Sequence, residues 1–75
     1  MNVMATKPKT NLPAFGSEIT FLSGSRKGCR GRVTRRVGRH RYYVVTLDYA
    51  PRDSEWRKGE EIHCTESTSV DVTDA

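Results

Sequence analysis

From Phe15 onward, apolar and polar positions alternate in short runs separated by turn formers. Ile19 and Phe21 alternate with Glu18 and Thr20, the period of a half-buried strand, which predicts a first strand at about 18–23. Gly31 to Val37 alternates again, with Val33 and Val37 expected on one face and charge around them. Arg41 to Leu47 has the β-branched and aromatic enrichment of a third strand. There Tyr43, Val45 and Leu47 should face one way and Tyr42, Val44 and Thr46 the other. Glu61-Ile62-His63-Cys64 predicts a short fourth strand and Ser69 to Val72 a fifth, while no segment carries a helical period of 3.6 residues.

Between these runs lie residues that favour turns. Ser23 to Gly28 supplies two glycines, which accept positive backbone angles that β-branched residues refuse. Gly38-Arg39-His40 suits a hairpin tip, and Tyr49 to Ser54 a loop leading to Trp56 and Lys58-Gly59. Five short strands predict an all-β fold, either a strongly bent sheet or a closed barrel. Closure removes exposed edges, so the expectation is a small SH3-like five-stranded barrel over 15–73. Residues 1–14, with two prolines, two lysines and no apolar period, are expected to form a flexible tail.

The 75 residues allow one small domain and argue against a multi-domain enzyme. No run reaches the ~18 to 20 apolar residues of a membrane span, and Met1 to Phe15 lacks the apolar core of a secretory signal. A soluble, cytoplasmic protein is expected, with no membrane partner.

Charge sharpens this picture more than the net +4 suggests. Residues 1–47 carry ten bases against the single acid Glu18, whereas residues 48–75 carry three bases against eight acids. Eight of the bases fall within sixteen residues without an acid: Arg26, Lys27, Arg30, Arg32, Arg35, Arg36, Arg39 and Arg41. Arginine offers a bidentate fork to phosphate and stacks on bases. The cluster therefore reads as a nucleic-acid surface, against the plainer alternatives of a solvated hairpin or a dock for an acidic protein.

The stretch Gly16-Ser-Glu-Ile19-Thr-Phe21-Leu-Ser23-Gly24-Ser-Arg-Lys27-Gly28-Cys-Arg-Gly31-Arg-Val33 resembles a KOW motif, the strand-loop-strand unit of NusG-type transcription factors and several ribosomal proteins. The resemblance extends over about residues 16–37, and Gly31 stands where the motif has its essential glycine. It implies an SH3-like barrel of KOW type that contacts RNA or a ribonucleoprotein machine of transcription or translation. Some members instead dock on a polymerase or ribosomal surface, so an acidic protein partner is the alternative. In the first case the arginines contact phosphates, Lys27 and the backbone of Gly24, Gly28 and Gly31 shape the turn, and Tyr42 stacks on a base.

Other residues admit two readings. Tyr42 either stacks on an unpaired base or completes the packing of the domain. Trp56 is a lid on the core or, with Arg57, a partner contact. Tyr42, Tyr49 and Trp56 together could form an aromatic cage for a methylated side chain. Cys29, Cys64, His40 and His63 lack the paired spacing of a zinc site, and no metal or cofactor is expected. Cys64 should pack inward, whereas Cys29, if exposed, would have its thiolate favoured by Arg26, Lys27 and Arg30. No nucleophile and base stand at recognisable spacing, so neither catalysis nor a small-molecule substrate is expected.

Overall fold

The computed structural model describes residues 12–73. Five strands form, β1 (Glu18–Phe21), β2 (Arg30–Val37), β3 (Tyr42–Tyr49), β4 (Glu61–Thr65) and β5 (Val70–Thr73), with short 3-10 turns at Gly24–Arg26 and Gly38–His40. All pairings are antiparallel, in the order β4-β3-β2-β1-β5. The protein is thus all-β and five-stranded. No ladder joins β4 to β5 among the described residues, so the expected barrel is not closed. The reason lies in β5, which is four residues long with three of them exposed. Pairing it along a second edge would bury little apolar surface.

The sheet bends around one apolar face. Ile19, Phe21, Val33, Tyr43, Val45, Leu47, Ile62 and Cys64 form the core, joined by Leu12 and Cys29 and flanked by Ala50, Trp56 and Val70. Tyr43, Val45 and Leu47 face inward together, the alternation expected of β3. The flexible tail expected over 1–14 lies, up to Asn11, outside the described residues. Its last part is corrected, because Leu12 and Pro13 are buried and Leu12 belongs to the core.

Two irregularities in the β2–β3 ladder bend the sheet and re-aim side chains. The register shifts between Arg30 and Gly31 and again between Val33 and Arg35. Past the second shift, Arg35 stands opposite Val44 and Val37 opposite Tyr42. Val37 therefore lies on the outer face while Val33 stays in the core, which corrects the expectation that the two valines share a face. Thr34 joins the outer face too, where its hydroxyl meets that of Thr46 at 2.8 Å.

Gly31 lies inside β2 rather than in the turn with Gly24 and Gly28, whose φ angles are +74 and +90. Its role is close approach. A Cβ there would sit 2.3 Å from the Thr46 carbonyl oxygen and 2.9 Å from Leu47 Cα, so only glycine lets β2 and β3 come together at this point.

Candidate nucleic-acid interface

The fold divides the basic run that is continuous in sequence. Arg26 and Lys27 lie in the β1–β2 turn and Arg30 opens β2, whereas Arg35, Arg36, Arg39 and Arg41 surround the β2–β3 tip. Strands β2 and β3 are eight residues long, which at the usual rise separates the two groups by about 23 Å.

The loop-end arginines are engaged with rings. The Arg30 guanidinium lies 4.8 Å from the centroid of Tyr49, its partner across the ladder, and that of Arg26 lies 5.8 Å from the Phe21 centroid. Arg32, midway along, pairs with Glu18 at 3.6 Å and donates to the Gly16 carbonyl at 3.2 Å. Both members of that pair are more than half exposed, so its stabilisation is small, but it uses the charge of Arg32 locally.

At the tip, Arg41 takes the left-handed conformation with φ 57 that turns the chain back into β3. Its backbone N–H donates to the Gly38 carbonyl and its guanidinium meets Glu66 at 3.2 Å. Arg35, Arg36 and Arg39 are exposed and have no ion pair among the described residues. Lys27 is likewise exposed and without one.

A row of rings from three separate elements stands on the face that Arg35 shares with Val44 and Tyr42, whereas Arg36, paired with inward-facing Tyr43, leaves the strand on the opposite face. Tyr42 at the start of β3 stacks on His63 of β4, with centroids 5.8 Å apart and planes 10° from parallel. On its other side lies His40 of the tip, at 6.5 Å and 22°. Val44, on the same outer face, is only 2% exposed although it lies outside the inner-face cluster. Its register partners are Arg35 and His63. The outer face that carries Tyr42 and His63 is therefore packed at Val44, between Arg35 and His63. His63 was not expected at this site, although the alternation of Glu61 to Cys64 already opposes it to Ile62.

No protein-family model, no curated protein and no solved structure matches the chain. The geometry alone therefore bears on function. Among the described residues no group of three His, Cys, Asp or Glu side chains comes together as a metal ion requires, and no helix is long and apolar enough to cross a membrane.

The aromatic cage is not assembled. Tyr49 and Trp56 line one open cleft at the loop end, while Tyr42 sits at the opposite end of β3. Trp56 packs against the core, and Ser54 holds it by accepting from its backbone N–H at 3.1 Å. Arg57, expected beside it as a partner contact, is exposed and donates to the Ser54 and Trp56 carbonyls.

Cys29 corrects the reactive-thiol expectation, since it is fully buried. Burial pushes its thiol up; a hydrogen bond with Ser54 opposes this and the charge of Glu60 adds to it. Cys64 packs inward, also as a free thiol. Burial pushes it up to about 11, with Arg26 and a hydrogen bond to Tyr43 pulling the other way. Neither thiol is poised as a nucleophile.

Proposed function

We propose that the protein is a non-enzymatic module of KOW type that binds single-stranded RNA, or a ribonucleoprotein presenting it, in the cytoplasm. The observation that carries this reading is the His40–Tyr42–His63 ring row on the face of Arg35, at a tip where Arg35, Arg36 and Arg39 lack acidic partners among the described residues. Unpaired bases stack on such rings while guanidinium groups hold the phosphates between them, and duplexes keep their base faces hidden. Arg35, Arg36 and Arg39 carry the phosphate contacts, and Tyr42 with its two imidazoles carries the stacking. Arg32 and Arg41 contribute less, because each already faces an acid of this chain.

The test is binding of a labelled unstructured RNA at rising salt, with a duplex of the same composition beside it. Three neutralised phosphates predict a log–log salt slope of about −2 on a single strand, an affinity loss of about twentyfold between ~50 and ~200 mM salt. The triple variant Arg35→Ala/Arg36→Ala/Arg39→Ala should abolish that slope while leaving the fold intact. No binding at ~50 mM salt, or equal binding of the duplex, would overturn the reading. Capture of an acidic protein in place of RNA would move the tip to the alternative partner class.

A further inference from the structure

We infer that the cleft at the loop end of β3 is a second, separate binding site, and that it takes a nucleotide: a planar base joined to a phosphate. The cleft holds about 450 Å³, within the range of small-ligand sites. Its walls are Tyr49, Pro51 and Trp56, and its cations are Arg52, Arg57 and Lys58. Asp48 is the one acid that lines it. Rings and a proline offer flat apolar surface to a base, and three cations against one acid favour an anion alongside it. An uncharged apolar ligand would instead desolvate those cations without a partner.

The surrounding loop is built rather than loose. Ser54 donates its backbone N–H to the Pro51 carbonyl at 3.0 Å, and Gly59 donates to the Leu47 carbonyl at 2.8 Å. The Arg57 guanidinium is held by the Ser54 and Trp56 carbonyls at 3.1 and 2.9 Å through one nitrogen, Nη1. That leaves Nη2 and Nε for a phosphate without further ordering of the side chain. Arg52 and Lys58 have no ion pair among the described residues. Tyr49 is 46% exposed, and the Arg30 guanidinium 4.8 Å from its centroid steadies the ring.

Trp56 is the only tryptophan of the chain, so its fluorescence reports on this cleft alone. The full chain would be titrated with uridine monophosphate and, in parallel, with uridine, inorganic phosphate and a short polyglutamate peptide. Shifts of the Trp56 indole resonance would be followed in the same samples. The expected result is a saturable response to the monophosphate, at least about tenfold tighter than to uridine or phosphate alone. Arg52→Ala/Lys58→Ala should weaken it about tenfold or more, the usual scale for lost charge-assisted hydrogen bonds. Arg35→Ala/Arg36→Ala/Arg39→Ala should leave it unchanged, so failure of this site and failure of the RNA-binding tip are read separately. The inference is overturned by no response in either signal up to about 10 mM, by a response to phosphate equal to that of the nucleotide, or by tighter binding of the peptide.

Discussion

Tyr42 and His63 stand on neighbouring strands with their rings 10° from parallel, two residues apart on the diagonal of the β3–β4 register and hence on one face. That pairing makes Tyr42 the centre of the outer-face row and gives a direct test. Tyr42→Leu keeps an apolar side chain near Val44 and removes the π-face. It should weaken single-stranded RNA binding by about ten- to a hundredfold, the range of one lost base stack, while changing unfolding free energy by less than about 1 kcal/mol. Unaltered affinity would show that bases do not stack there.

Gly31→Ala tests the closest approach in the sheet. The added methyl meets the Thr46 carbonyl oxygen, a backbone atom that cannot swing aside. A loss of about 3 kcal/mol in urea unfolding is expected, at the upper end for overpacking. Gly38→Ala, where a Cβ meets nothing within 4 Å, is the control and should cost about 1 kcal/mol or less.

Two buried polar atoms have no hydrogen-bond partner among the described residues, Ser17 Oγ and Trp56 Nε1. Ser17 is fully buried, so Ser17→Ala should raise stability by about 1 kcal/mol. In a domain of this size that is a Tm gain of about 4 to 8 °C. Trp56→Phe removes the orphaned N–H with part of the ring and should change stability by no more than about 1 kcal/mol. Trp56→Ala, which strips the cover from the core edge, should cost about 2 kcal/mol. A large loss in Ser17→Ala would reveal a partner for that hydroxyl.

Alkaline stability should fall through a defined window. Once unfolded, Cys64 loses its proton near the ordinary thiol value of 9.0, but in the fold it keeps the proton up to about 11. The unfolded chain therefore binds fewer protons across that interval, and unfolding becomes easier as pH rises through it. The contribution is fully present below pH 9 and amounts to about 3 kcal/mol. Tyr43, its cross-strand partner, is pushed up as well and prolongs the fall. Urea midpoints at pH 8, 9.5 and 11 measure it. Cys64→Ala should reduce the drop from pH 8 to 11, most of it between 9.5 and 11, and an unchanged drop would assign it elsewhere.

The strands were legible in the sequence because each carries a period-two pattern over four or more residues. Tyr43, Val45 and Leu47, and Ile62 and Cys64, fall inward as that alternation requires. What escaped were events that break the period. The extra residue between Val33 and Arg35 has no compositional mark, yet it sends Val37 to the opposite face and places Arg35 beside Val44. The basic cluster was visible as a run, but its division between two ends follows from the hairpin, which makes sequence neighbours such as Arg30 and Arg39 distant. His63 required knowing that β4 pairs with β3, which stacks it on Tyr42, 21 positions earlier in the chain.

Both thiols, finally, lie beneath the sheet, one on each side of the chain's long hairpin: Cys29 just before β2 and Cys64 within β4. Each reacts with a disulfide reagent only after its own part of the fold has opened. The chain thus carries two internal clocks. If Cys29 and Cys64 label at one common rate, the molecule opens all at once; if Cys64 labels first, unfolding begins at the outer edge of β4, which pairs with no strand among the described residues.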